Sequence, residues 1–192
     1  MKDESTTSTT EATIPPKFEE FPHIPRLSRE IIVTEKIDGT NACIHITDGG
    51  LVFPGSRTRW ITTESDNAGF ARWVKEHLEE LRVGLGPGTH FGEWWGRGIQ
   101  RGYGQTEKIF SLFNTTRWTD DVRPKCCRTV PVLYTGMFDT AVINETLNDL
   151  KNAGSAAAPG FMQPEGVVVF HVGGNLMFKK TIDKDDKHKS EL

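Results

Sequence analysis

Few cysteines, no long apolar run and no surplus of basic charge characterise this chain of 192 residues. The three cysteines are Cys43, Cys126 and Cys127. Their number is odd, two are adjacent, and none has Cys-x-x-Cys spacing, which excludes a zinc knuckle and a disulfide framework and fits a reducing compartment. The six histidines form no His-Glu-x-x-His pattern, so a protein-held catalytic zinc is not expected. No stretch approaches the roughly 20 apolar residues of a membrane-spanning helix. Residues 1–16 hold no apolar region of the secretory type, and a cytoplasmic setting is expected, that of the host if the chain is viral. The formal net charge of −3 argues against a protein that coats nucleic acid through bulk positive charge.

The organisation that remains is that of one soluble domain. Residues 1–17, rich in Ser, Thr and Glu and ending near Pro15-Pro16, cannot bury a core and read as a disordered extension. Residues 18–182 read as the domain and 183–192 as a charged tail. Ile31 to Glu35 is a β-rich run, and Asp38-Gly39-Thr40-Asn41 supplies turn chemistry before Ala42 to Thr47 alternates again. Asp48-Gly49-Gly50 is a second turn before Leu51-Val52-Phe53, which predicts a three-strand antiparallel meander. Asp66 can cap a helix whose apolar stripe is Phe70, Trp73, Val74, His77, Leu78 and Leu81, ending at Gly84-Leu85-Gly86-Pro87. His77 on that stripe reads as a packing histidine. Val130 to Tyr134 reads as a strand, Ala141 to Asn152 as a helix closed by Gly154, and Gly166 to His171 and Leu176 to Lys180 as two strands around Gly173-Gly174-Asn175. The pattern is α+β with mainly antiparallel sheet.

Chemistry concentrates at a few places. Lys36 sits at a strand end beside Asp38-Gly39. A free lysine with a pKa of about 10.4 is neutral in only about one molecule in 2,500 at pH 7, so a nucleophilic Lys36 needs nearby cations, a metal or desolvation. Arg57 and Arg59 close the third strand two apart, so they share a face and could clamp phosphate, the alternative being a solvated edge strand. Phe91-Gly92-Glu93-Trp94-Trp95-Gly96 puts a carboxylate among aromatics. Residues 96–104 then hold four glycines with Arg97 and Arg101, and glycine lets a ligand approach the backbone. Trp94 and Trp95 cannot share one strand face, so one is expected in the core and the other partly exposed. Lys108 to Asn114 carries Phe110 and Phe113, either of which could stack on a base. Glu165 opens one strand, and Lys179 and Lys180 close the next.

Lys36-x-Asp38-Gly39, the arginine pair, Phe91-Gly92-Glu93, the aromatic strand, Glu165-Gly166-Val167-Val168 and Phe178-Lys179 follow one another in that order. The set resembles the covalent nucleotidyltransferase superfamily of DNA ligases, RNA ligases and mRNA-capping guanylyltransferases. Within it, the chain most resembles phage-type ATP-dependent RNA ligases, over roughly Phe18 to Lys189. Asp38-Gly39-Thr40-Asn41 stands where DNA ligases and capping enzymes usually have an arginine after the glycine.

The resemblance implies an α+β nucleotidyltransferase (ATP-grasp-like) domain of mainly antiparallel sheets flanked by helices. It implies that Lys36 attacks the α-phosphate of ATP and carries AMP, which passes to an RNA 5′-phosphate before a 3′-hydroxyl seals the ends. It makes Glu165 and Lys179 the catalytic companions of Lys36. Glu35 (through its backbone), Asn41, Arg57, Glu93, Phe113 and Lys180 would form the nucleotide-binding set, with Phe113 on adenine and Glu93 on the ribose. Asp38, Glu93 and Glu165 would serve Mg²⁺, with Mn²⁺ as a substitute. The family's last motif usually has lysines two apart, and here that second place is Thr181. The docking domain usual after this motif is not evident, so RNA would rest on Arg97, Arg101, Lys108, Arg117, Lys184, Lys187 and Lys189, or on a partner protein. The alternatives are a DNA ligase, a GTP-using capping-type enzyme, or a non-catalytic nucleotide- or RNA-binding module of the same fold.

Overall fold

The computed structural model describes residues 17–183. Among these residues nine strands form two sheets. The first, in the order β7 (Val132–Met137), β1 (Glu30–Lys36), β8 (Gly166–His171) and β9 (Leu176–Thr181), is antiparallel throughout. The second has the order β3 (Val52–Ser56), β2 (Thr40–Ile46), β4 (Gly88–Gly96), β5 (Lys108–Leu112) and β6 (Cys127–Thr129), with a parallel β5–β6 pair. This is the mixed α+β architecture expected, with mainly antiparallel sheets. Among the described residues no helix is long and apolar enough to cross a membrane.

Alternation decides which face of each strand is buried. In β1, Ile31 and Val33 point into a core with Val167 and Val169 of β8. That core is closed by Ile143, Leu147 and Leu150 of helix α3 (Thr140–Ala153). Asp139 caps α3 by accepting a hydrogen bond from the Ala141 N–H at 2.8 Å. In the second sheet Ala42, Ile44, Ile46, Trp94, Phe110 and Leu112 face Phe70, Ala71 and Val74 of α1 (Phe70–Glu76) and Leu81 and Leu85 of α2 (Leu78–Leu85). The opposite face contributes Trp95 and Ile109 to a third cluster with Ile37, Tyr103, Val130 and Ala158. Both tryptophans are therefore buried, Trp94 at 1% and Trp95 at 0% exposure, because this end of the sheet is covered on both sides. The expected exposure of one of them does not hold.

Three further expectations are corrected. The first three strands are not one meander: β2 and β3 pair, but β1 belongs to the other sheet. The Asp38-Gly39 turn carries the chain between sheets instead of folding a hairpin back. The single helix over Phe70 to Leu81 is two helices, broken at His77, whose backbone leaves the helical region (φ −108°, ψ 19°) and whose Nδ1 contacts Trp73 O at 2.9 Å. His77 is the packing residue its place on the stripe suggested. Asp66 does cap this segment, accepting from Ala71 N–H at 2.8 Å and Arg72 N–H at 3.2 Å. Finally, the packed chain starts later than Phe18. Phe18, Phe21 and Ile24 are 86%, 76% and 73% exposed because no layer covers them, while further on the Leu27 carbonyl contacts His171 Nε2 at 2.7 Å. Most of the proposed N-terminal extension and of the charged tail lies outside the described residues.

Gly39 marks the crossing. A Cβ there would fall 2.6 Å from Trp94 O and 2.8 Å from Trp95 Cβ. Gly39→Ala is expected to destabilise the fold by about 1–3 kcal/mol through overpacking, read as a lower urea midpoint at unchanged slope. An unchanged midpoint would mean that the crossing has room to relax.

Candidate active site

Because β1 alternates, Glu35 and Lys36 point to opposite faces. Glu35 follows Ile31 and Val33 inward and is 1% exposed. Its carboxylate accepts hydrogen bonds from Ser155 Oγ at 2.6 Å and Ala157 N–H at 2.8 Å, yet burial still raises its pKa. Its backbone N–H donates to Pro131 O at 2.9 Å, so that donor is already engaged.

Lys36 takes the other face, and its Nζ donates to Glu165 Oε2 at 2.6 Å across 129 positions of sequence. The two side chains are 25% and 19% exposed, open enough for a ligand to reach them. The loop before Glu165 is fixed by Arg101, whose Nη1 donates to the Gln163 and Pro164 carbonyls at 2.8 and 3.2 Å. The Nε of Arg101 donates to Asp38 at 3.0 Å. One guanidinium thus ties the turn after Lys36 to the segment before Glu165. Tyr103 adds a second tie, its hydroxyl accepting from the Asp38 N–H at 2.9 Å.

Glu93 approaches from β4. Its two carboxylate oxygens accept from Gly39 N–H at 3.1 Å and Asn41 Nδ2 at 2.9 Å. Glu93 is 8% exposed, and burial pushes its pKa up to about 7 against the opposing pull of the Lys36 charge and of those hydrogen bonds; Glu165 adds a smaller upward push. The charges of Lys36 and Glu165 both act on Glu93, and Lys36 contacts Glu165, so the three form one electrostatic cluster.

Register sorts the remaining residues. Glu93 is opposite Ser111, and Phe113 lies two residues further along, on the same face. Phe113 is half-buried against the cluster that holds Ile37, Tyr103 and Ala158, while Phe110 is fully buried on the helix side. Across the other sheet, Thr34, Val168 and Lys179 form one row and Glu35, Val167 and Lys180 the next. Lys179 therefore shares the Lys36 face. Lys180 points to the opposite face, and Thr181, in the row of Lys36 and Gly166, takes the second position on the Lys36 side. This departs from the place given to Lys180 in the nucleotide set. Arg57 is exposed just beyond β3, whose last residue Ser56 is opposite Ala42, so it leaves the sheet at the end where Asn41 meets Glu93. Arg57 and Arg59 are not on a strand, and Arg59 turns to Ser65, donating to its Oγ at 2.9 Å.

The three carboxylates expected to share a metal do not gather. Asp38 is held by Arg101 and Glu93 by Gly39 and Asn41, and among the described residues no group of three His, Cys, Asp or Glu is close enough to hold an ion. What remains fits Mg²⁺ brought with a triphosphate, because that ion leans on one or two carboxylates and on substrate phosphates. The expected docking cations are also partly engaged: Lys108 donates to Ala68 O at 2.7 Å, and Arg117 donates to Leu85 O while stacking over Trp118 at 4.5 Å. Lys184, Lys187 and Lys189 lie outside the described residues. A separate cavity of about 730 Å³ beside α1 is lined by Arg72, Arg97, Lys108, Lys125 and Arg128, and by none of the cluster residues. Sequence reasoning did not foresee the bracing roles of Arg101, Tyr103 and Ser155. The glycine density around the first two was the available signal.

Two sheets meeting over a lysine, with carboxylates on either side, define a nucleotidyltransferase-like fold of the RNA ligase type. The sequence model of the family described as RNA ligase matches residues 29–186, and the chain belongs to that family. A Naegleria gruberi RNA ligase variant solved with ATP and Mn is similar at a TM-score of 0.62 and 19% identity, over 84% of this chain and 52% of that one. Another, solved with AMP and Mn, is similar at 0.60 and 19%, over 85% and 53%. At such identity the likeness shows the fold, and the chain spans about half the length of these structures. No curated protein sequence matches significantly.

Glu93 should make stability depend on pH. Its folded pKa of about 7 exceeds its ordinary 4.5. Below 4.5 both states are protonated and nothing is lost. As pH rises from 4.5 through 7 the unfolded chain sheds a proton that the folded one keeps, so stability falls, by roughly 3 kcal/mol in total. Glu93→Gln is expected to flatten this decline in melting temperature between pH 4.5 and 8. An equally steep decline in the variant would assign it to another group.

Proposed function

We propose that the chain is an ATP-dependent RNA ligase acting through a lysyl-AMP intermediate. The observation that supports this most directly is Lys36 in contact with Glu165 and electrostatically coupled to Glu93, at a junction that also receives Lys179 and Phe113. Lys36 gives up a proton, for which Glu165 is an acceptor already in hydrogen-bond contact. Its lone pair attacks the α-phosphorus of ATP, a P–N bond forms, the bond to the bridging oxygen breaks, and pyrophosphate leaves. Lys179 and Arg57 offset charge on the phosphates. Glu93 and Asn41 accept and orient the ribose hydroxyls, and Phe113 supplies an apolar face for adenine. A bound Mg²⁺, or Mn²⁺ as in the Naegleria structures, would neutralise the triphosphate. The adenylate then passes to the 5′-phosphate of RNA, and a 3′-hydroxyl displaces AMP to close the phosphodiester. RNA is favoured over DNA as substrate by the family match.

Intact-mass spectrometry after incubation with ATP and Mg²⁺ tests the first step. The protein should gain one adenylyl group, GTP should give none, and pyrophosphate should reverse the adduct. Lys36→Ala should abolish it, since no other group can form the phosphoramide there. Lys36→Arg should fail as well, because a guanidinium stays protonated. An undiminished adduct in either variant would sink the mechanism, and a GTP adduct would point to capping-type chemistry.

A further inference from the structure

The face of the second sheet that bears Glu93 continues beyond the nucleotide site. Asn41 and Glu93 are opposite each other there. Two residues along each strand, about 7 Å away at about 3.3 Å per residue, the next row on this face is Phe91, Cys43 and Gly55, and the row after it is Thr89, His45 and Phe53. No carboxylate stands in either row. Trp60 folds back onto this face: its backbone bridges Gly55, and a Cβ on Gly55 would lie 3.0 Å from its ring. The rings of His45, Phe53 and Trp60 are mutual neighbours, with centroids 5.9 to 6.5 Å apart. His45 is set by a 2.8 Å contact between Nδ1 and Thr89 Oγ1.

These rings are outside any core. Phe53, Trp60 and Phe91 are 42%, 56% and 60% exposed, while Trp94, Trp95 and Phe110 of the same sheet are sealed. A contiguous exposed patch of large aromatics on a rigid sheet marks a binding surface. Arg57 and Arg59 border it on the loop between Ser56 and Trp60, and Arg57 leaves the sheet at the end where Asn41 meets Glu93.

We infer that His45, Phe53, Trp60 and Phe91 form a stacking platform for unpaired RNA bases next to the reacting end. The inference rests on the ligase reading above and names where its polynucleotide lies. Continuity with the nucleotide pocket and the cationic border favour a nucleic acid strand. Every base has a π-face, so such a platform holds RNA of any sequence.

The test titrates the full chain, without ATP, with a short 5′-phosphorylated oligoadenylate, reading tryptophan fluorescence and anisotropy of a labelled strand. Trp94, Trp95 and Trp118 are buried and the partly buried Trp73 packs against Phe70 and Trp94 on the helix-covered side of the sheet, so quenching by bases stacked on this face should come chiefly from Trp60. Trp60→Ala and Phe53→Ala are expected to weaken binding on the order of tenfold each. Trp60→Phe should keep the affinity and lose most of the quenching. All three should accept AMP from ATP as the wild type does, which also shows that they fold. Phe91→Ala provides an independent check at the edge nearest Glu93. Unchanged affinity in Trp60→Ala and Phe53→Ala would overturn the platform. So would a wild-type dimer, seen by light scattering, that Trp60→Ala dissolves without affecting RNA affinity, because the patch would then be a contact between copies. The titration needs no adenylylation. Absence of a lysyl adduct in the wild type would therefore overturn the ligase mechanism while leaving this result readable.

Discussion

Three residues, Ile37 to Gly39, take the chain from one sheet to the other, and every feature of the site depends on that short crossing. It leaves Lys36 at the last position of one sheet and Asn41 near the first of the next. The close passage under Trp94 and Trp95 requires a residue without a side chain at Gly39. Because Gly39 N–H then points at Glu93, the turn that positions the lysine also orients the carboxylate facing it. Ile37 anchors the crossing in the cluster shared with Trp95 and Tyr103, so the seam between the sheets is packed as well as hydrogen-bonded.

Two buried glutamates show how position divides labour. Glu35 and Glu93 both have raised pKa values, and in both cases burial is the leading cause. Glu35 is turned away from the cleft and fastens the Ser155 to Ala158 segment. Glu93 lies in the field of Lys36 and Glu165 and faces the cleft. Neighbouring a lysine in sequence therefore says little about acting with it. Parity along the strand decides, and the same rule separates Lys179 from Lys180.

How much was legible beforehand follows from the range of the signals. Strand and helix periodicity reads local structure, and it located β1, β2, α3 and the last two strands to within a residue or two. The order of the motifs brought Lys36, Glu93 and Glu165 together without any knowledge of the path between them. Sheet membership was not legible, because Asp38-Gly39 has the same composition whether it closes a hairpin or crosses between sheets. Arg101, expected among the RNA-docking cations, was not legible as a brace because two of its three partners are backbone carbonyls, which have no sequence signature. Nor does motif order show how carboxylates are engaged: Asp38 is held by Arg101, Glu93 by Gly39 and Asn41, and Glu165 by Lys36.

The pairing of β1 has a consequence for how the molecule comes to exist. The second sheet is built from a continuous stretch, residues 40–129, and its strands meet neighbours close along the chain. The first sheet joins residues 30–36 to strands that begin only at Val132 and Gly166. Closing so long a loop is slow, and a chain emerging from the ribosome can complete the second sheet while β1 still waits for partners. Lys36 is synthesised 129 residues before Glu165 and acquires it only once the chain has been made past β8. Assembly of the reactive centre is thereby a late step of folding, and a chain cut short before β8 carries the nucleophile with nothing to hold it.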